Sequence, residues 1–357
     1  MAQIRSKPFG VTKEGANVTE YILSNPGGLT VSVLDYGCVI KSIIVPAKNG
    51  PVDVVVGHDT MADYEADFNS SGSTCCGAFV GRYANRIENA VFTVGGKTYQ
   101  LEANNGPNHL HGCFSRKLYR VKSFGDTLLM EAESPDGEDG FPGNLKIAVR
   151  YTLTEDNAFR MDYRVSSDAD TIVNLTNHSY FNLDGGGDVL NQKLRIYASN
   201  YLEGNNQCCP TGAILPVADT PMDFTAGKLI GREIDTGFAQ TTMVGGGYDH
   251  CYVIDRARGS SQSICAWATS DKTGISMKLY TTQPGIQLYT ANFLQDCPSP
   301  GKGGKPLQKY GGFALETQHY PCSPSHPEFP STVLRAGKVF RATTTLRFFT
   351  GKQCGKL

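Results

Sequence analysis

Apolar and polar residues alternate along much of this chain with the period of a β-strand. In AFRMDYRV (158–165), Phe159, Met161, Tyr163 and Val165 share one face, and Arg160, Asp162 and Arg164 share the other. That is the pattern of a strand with one wet face. KLRIYA (193–198) repeats it with Leu194, Ile196 and Ala198. SMKLYTT and GIQLYTANF flank Gln283-Pro284-Gly285, which predicts a turn between two strands. TTTLRFF, near the C-terminus, is β-branched and aromatic, which is again strand chemistry. No long stretch sustains a helical period; MADYEADF (61–68) predicts one short helix. The triple glycines at 185–187 and 245–247 read as turns. Many short strands punctuated by Gly and Pro predict an all-β sandwich or barrel. With no linker, low-complexity block or repeat, residues 1–357 are expected to form a single domain.

Three segments place polar groups inside otherwise buried-looking runs. In TIVNLTNHSYFNL, an extended chain puts Ile172, Asn174, Thr176, His178, Tyr180 and Asn182 on one face. A buried face that polar must be satisfied or functional. In GGFALETQ, Phe313 and Leu315 share one face, and Ala314, Glu316 and Gln318 the other. A carboxylate in so apolar a run invites a perturbed pKa. In PNHLHG, His109 and His111 would point the same way on a strand. Each also has a plain structural reading: a lone strand histidine is more often a satisfied core or surface residue than a catalyst. The H-x-H pair could bind a metal as in metal-binding cupins, but those carry a Glu shortly after the pair and HLHGCFSRKLYRVKS has none. No metal site is therefore expected.

Composition narrows the picture. The 357 residues carry 33 basic and 34 acidic side chains, a net charge of −1, unlike the basic footprint of a nucleic-acid binder. No apolar run approaches the roughly 20 residues that span a bilayer, and MAQIRSKPFGVTKEG lacks the apolar core of a secretion signal. Eleven cysteines, an odd number without a C-x-x-C, argue against a disulfide framework or zinc motif and predict reduced thiols in a cytoplasmic protein. The sequons at Asn17, Asn69, Asn174 and Asn177 are then chance matches. P-loop, G-x-S-x-G and H-E-x-x-H signals are absent.

Taken together, these segments resemble the aldose 1-epimerase family. VSVLDYGCVIKSIIVP, DVVVGHDTMADY, GAFVGRYANRI, PNHLHG, SPDGEDGFPG, NLTNHSYFNL, YLEGNNQCCPTG, GYDHCYVI, YTTQPGIQLYTANF, ALETQHYP and HPEFPSTVLRAGKVF follow in the family's order, from about residue 28 to 345. NHSYFNL and TTQPG combined with ETQ are the most specific. The resemblance implies a large twisted antiparallel β-sandwich with few short helices and an open groove. It implies Glu316 as general base, His178 as general acid, and His111 as a further site histidine that contacts the sugar. Asn85 and Arg86 of ANRI, Asp249 of YDH and Gln283 of TTQPG correspond to positions that hold sugar hydroxyls. His58, His109, His250, His319 and His326 receive no such role and are expected to be structural or solvated.

The implied reaction exchanges the α and β anomers of a hexose such as galactose or glucose. The C1 hydroxyl loses a proton while ring O5 gains one; the open aldehyde turns about C1–C2 and recloses. Reference pKa values of about 4.3 for Glu and 6.5 for His require an environment that keeps His178 protonated beside an ionised Glu316. No electrons move and no group is transferred, so no cofactor is expected. The expected partner is a small hexose, with no nucleic acid or membrane, and the protein a monomer or weak dimer. Three stretches depart from the family pattern: a short Cys113–Tyr119 loop with Ser115 and Tyr119, the Cys75-Cys76 pair before GAFVGR, and Pro321-Cys322 after ETQ. The short loop is expected to open one end of the groove. Two other readings remain at this point: an isomerase of a phosphorylated sugar or another cyclic hemiacetal, which should gather several arginines, and a sugar-binding relative without the acid or base.

Overall fold

The strand with the clearest alternation forms where expected. Ala158–Ser167 buries Phe159, Met161, Tyr163 and Val165 and turns Arg160 and Arg164 to solvent. In the computed structural model, which describes residues 2–256 and 261–351, it lies inside a nine-stranded sheet. The order is Arg120–Phe124, Thr127–Ser134, Leu145–Leu153, Ala158–Ser167, Val339–Thr350, Ile275–Thr281, Ser263–Thr269, Lys193–Ile196 and Lys228–Leu229. A six-stranded sheet runs Tyr180–Phe181, Phe313–Gln318, Gly285–Tyr289, Asp249–Val253, Asn200–Gly204 and Pro210–Pro216. A five-stranded sheet takes the N-terminal strands from Gln3–Val11 to Val52–Asp53. The neighbours in these three sheets pair antiparallel.

One apolar core is shared by all three. Val31, Val33 and Ile43 of the N-terminal sheet meet Met130, Val149 and Leu346 of the largest sheet and Ile286, Leu288, Phe313 and Leu315 of the six-stranded one. This is a sandwich of antiparallel sheets, burying one face of each strand against the next layer. Met61–Phe68 is the predicted helix, started by Thr60, whose Oγ1 accepts from Asp63 N at 3.2 Å.

Two local expectations change. Gln283-Pro284-Gly285 is a turn between two strands, but not of one hairpin: Ile275–Thr281 belongs to the nine-stranded sheet and Gly285–Tyr289 to the six-stranded one. The chain crosses between layers here, and a Cβ on Gly285 would sit 2.8 Å from Cys251 Sγ. TIVNLTNHSYFNL is not one strand but three pieces, Thr171–Ile172, Thr176–Asn177 and Tyr180–Phe181, each paired to a different segment. Its asparagines replace the missing ladder. Asn174 Nδ2 donates to Ala84 O (3.1 Å) and His319 O (3.2 Å), and Asn182 Nδ2 donates to Gly187 O and Gly311 O (both 2.9 Å). Asn177 Nδ2 donates to Gly77 O at 2.8 Å. Asn174 and Asn182 of the polar face are thus satisfied, whereas Thr176 Oγ1 and His178 Nδ1 on the same face have no partner among the described residues, and the sequons at Asn174 and Asn177 are buried.

Candidate active site

A cleft of about 170 Å³ opens where Asn85, Arg86, His111, His178, Asp249 and Glu316 converge. Apart from the adjacent Asn85 and Arg86, each arrives on a different piece of chain. Glu316 stands in Phe313–Gln318 with Phe313 and Leu315 turned into the core, as the alternation requires. His178 follows Thr176–Asn177 and is fixed by its backbone: its N donates to Ala78 O, and its O accepts from Gly77 N, both at 2.9 Å. Asp249 opens Asp249–Val253, opposite Tyr289. Asn85 (φ 63°) and His111 (φ 65°) are left-handed, a conformation that asparagine and histidine tolerate better than most residues. They lock together, with Asn85 N donating to His111 Nδ1 (3.2 Å) and His111 N to Asn85 O (3.1 Å).

The central contact is His178 Nε2 to Glu316 Oε1 at 3.5 Å, both side chains almost wholly buried. Glu316 Oε2 and His178 Nδ1 have no hydrogen-bond partner among the described residues. Burial pushes His178 down to about 4. It pushes Glu316 well above the carboxylate range; the Asp249 charge pushes the same way and Arg86 opposes it. Burial therefore works against the expected imidazolium beside an ionised carboxylate. Each charge is disfavoured by desolvation, which favours the neutral pair over the ion pair. The neutral and ionic forms differ only in where one proton sits.

The surrounding groups are set more firmly. His111 is driven far below its ordinary pKa by burial and by His178 and Arg86. Because its Nδ1 accepts from Asn85 N, its Nε2 carries the hydrogen, which makes it a neutral donor. Arg86 Nε donates to Asn105 Oδ1 (3.0 Å), and its charge faces Asp249. Arg82, also in GAFVGRYANRI, is different: fully buried, it donates to Pro142 O (2.8 Å), Gly143 O (3.1 Å) and Ser134 and holds the fold.

Gln283 is not brought to the cleft. It lies in the crossing before Gly285–Tyr289, beyond the ladder in which Gln287 sits opposite Glu316. Gln283 lies four positions before Gln287, a distance on the order of 10 Å at strand rise. Gln287, not singled out in the sequence, is the amide next to the site: its Nε2 donates to Asp249 Oδ1 at 2.6 Å. The signal was there in GIQLYT, where Ile286 and Leu288 enter the core and leave Gln287 and Tyr289 on Glu316's side. His109 and His111 also part company. The strand His109–Leu110 ends at His111's positive φ. His109 packs on Phe141 and bonds Glu102 O (2.9 Å), whereas His111 enters the cleft.

Nor does the short Cys113–Tyr119 loop form the rim. Phe114, Ser115 and Tyr119 are buried, and the loop contributes nothing to the cleft lining. The rim comes instead from Ser71–Thr74, Asn105, Cys208 and Phe293. Cys75 and Cys76 lie behind that wall, fully buried. A larger hollow of about 470 Å³ runs along Gly185–Gly187 and Gly301–Gly303. It contains no histidine or glutamate, so the chemistry belongs to the smaller cleft.

Comparison with known proteins adds the following. The family model described as Aldose 1-epimerase matches residues 19–347. Galactose mutarotase of Rattus norvegicus is 35% identical over 354 residues, 98% of this chain and 99% of the relative. Aldose 1-epimerase of Escherichia coli is 36% identical over 334 residues, 91% and 94% of the two chains. Among solved structures, an aldose epimerase homologue from C. elegans superposes with a TM-score of 0.84 at 29% identity, covering 97% of this chain and 99% of its own.

Proposed function

The chain belongs to the aldose 1-epimerase family, and on that premise we propose that Glu316 and His178 carry its reaction. The protein interconverts the α and β anomers of hexoses such as galactose and glucose. The observation that supports these two residues is the 3.5 Å approach of an imidazole to a carboxylate in a buried cleft, each with an unpartnered atom. O1 and O5 are both bonded to C1, so a base and an acid that share one cleft can serve them together.

Sugar entry favours the ionic form, with the proton on His178. A hydroxyl donating to Glu316 and the nearby Arg86 charge both favour the carboxylate. Glu316 then accepts the C1 hydroxyl proton while His178 donates to O5, the C1–O5 bond opens, and reclosure on the other face reverses both transfers. Positioned acid–base groups contribute about 10²–10⁴-fold. His111, through its Nε2 hydrogen, and Asn85, Arg86 and Asp249 orient the hydroxyls; Gln287 holds Asp249 for that task.

The phosphosugar alternative loses support, because Arg86 is the only arginine or lysine lining the cleft among the described residues, and its charge already faces Asp249. The reading includes one domain, since the site draws on residues 71 to 316 and one core unites the sheets. It also includes a cytoplasmic monomer or weak dimer. The ten cysteines within the described residues, all free thiols, support that compartment, and no described helix is long and apolar enough to cross a membrane. The test is polarimetry of freshly dissolved α-D-galactose and α-D-glucose with purified protein. An unchanged rate of rotation at micromolar protein would overturn the reading.

A further inference from the structure

Behind the Ser71–Thr74 wall, His58, Asp67 and Cys297 bring one imidazole nitrogen, one carboxylate oxygen and one sulfur within 4.8 Å of one another. Two come from neighbouring segments, the stretch before the helix and the helix itself, and the third from the distant loop after Leu294–Asp296. We propose that they form a binding site for a thiophilic divalent cation of the zinc class, separate from the acid–base pair.

Ligand identity and orientation carry the argument. Nitrogen, oxygen and sulfur together suit zinc, which takes four ligands tetrahedrally. His58 Nδ1 lies 2.7 Å from Pro300 O. A carbonyl only accepts, so Nδ1 carries a hydrogen and Nε2 is the atom presented to the cluster, the arrangement that orients most metal-binding histidines. Asp67 is likewise held from outside: Thr74 N donates to Oδ1 at 2.7 Å and Thr74 Oγ1 donates to Oδ2. His58 Nε2 and Asp67 Oδ2 are 3.3 Å apart. The edge of a tetrahedron with metal–ligand distances of about 2.0 Å is about 3.3 Å. His58 and Asp67 are fully buried, but Cys297 is partly exposed, which leaves a way in and a fourth position for water.

Asp67 and a Cys297 thiolate together offer two negative charges to a divalent cation, the thiol proton leaving to solvent as the sulfur binds. Thr74 and Leu294 both line the cleft, so the cation would tie together two segments of its wall.

The test uses untagged full-length protein stripped with chelator and titrated with Co²⁺ alone, then with Zn²⁺ alone. The expected result is one Co²⁺ per chain with a sulfur-to-cobalt charge-transfer band, displaced by one equivalent of Zn²⁺. Melting temperature should rise on binding. Cys297→Ala removes a partly exposed group, so it should fold; it should lose the band and weaken Zn²⁺ binding by about 10-fold or more. Cys113→Ala, elsewhere on the surface, should bind as the wild type does. Absence of the band at one equivalent, or a band and affinity unchanged in Cys297→Ala, overturns the proposal. Neither readout depends on turnover, so failure here leaves the acid–base reading intact.

Discussion

Two buried histidine–carboxylate pairs stand in this molecule at nearly the same separation: His178–Glu316 at 3.5 Å and His58–Asp67 at 3.3 Å. Their electrostatics are opposite. His58 is raised to about 10, because Asp67, Cys297 and Pro300 O stabilise its charged form against the cost of burial. His178 is lowered to about 4, because burial penalises its charge and little around it compensates. The difference lies in the second partners. Asp67 accepts from Thr74 N and Oγ1, and His58 Nδ1 donates to Pro300 O. Glu316 Oε2 and His178 Nδ1 have no such partners. A fully bonded pair is held in one protonation state; a pair with atoms left over can pass a proton to something that enters.

The largest expected effect comes from breaking the loose pair. Glu316→Gln keeps the shape and removes the base; His178→Asn keeps a polar group and removes the proton donor. Each should lower kcat by at least about 100-fold with a much smaller change in sugar affinity. The double variant should be little worse than either single one, because one transfer without the other leaves a charged sugar. Polarimetric kcat and calorimetric binding on the same proteins decide this. Near wild-type turnover in Glu316→Gln removes Glu316 as the base.

Stability should separate the pairs in the other direction. Asp67→Asn leaves a buried imidazolium facing an amide and should cost about 3 kcal/mol, read from urea unfolding. Glu316→Gln removes a carboxylate that burial already disfavours, so its unfolding midpoint should match or exceed the wild type. If the two variants lose stability equally, unpartnered atoms do not distinguish the pairs.

The pH dependence follows with opposite signs. His58 binds its proton more tightly folded than unfolded, so its contribution is complete below about 6.5, its unfolded value, and is lost as pH rises toward about 10. His178 binds its proton less tightly folded, so its effect is to lower stability as pH falls from about 6.5 toward about 4. His58→Gln should flatten the alkaline decline, and His178→Asn the acid one. Meanwhile kcat/KM should show its acid limb near 4 rather than near 6.5, because burial lowers the value at which His178 takes up a proton. An acid limb centred near 6.5 in kcat/KM would show that His178 titrates as an ordinary histidine.

What could be read in the sequence depended on whether alternation reached the residue. Glu316 was legible because Phe313 and Leu315 define its strand's inner face, and Met61–Phe68 because the helix is local. The sheets were legible as strands but not as an order, since pairs such as Ala158–Ser167 with Val339–Thr350 join residues far apart in sequence. His178 was found through its motif, although the single strand expected around it does not exist; asparagine bonds to distant backbone, invisible in one sequence, divide it into three. The same non-local folding hid the His58 cluster, whose members lie at 58, 67 and 297.

The smallest effect tests how far unpartnered atoms alone mark a site. Gln283 Nε2 and Gln287 Oε1 are both buried without a partner, so the comparison of the two pairs would treat the glutamines alike. Position separates them. Gln287 faces Glu316 across the ladder and bonds Asp249, whereas Gln283 sits in the crossing between sheets. Gln287→Leu removes a donor to a half-buried carboxylate, a contact of about 1.5–3 kcal/mol. Asp249 is then less firmly held, and KM should rise by about 10-fold with kcat changed less. Gln283→Leu removes an unused amide and should leave KM within about 2-fold of wild type. An equal rise in KM for both variants would mean that the crossing shapes the cleft and that Gln283 belongs to the sugar site after all; no rise for Gln287→Leu would mean that Asp249 is held by Arg86 alone.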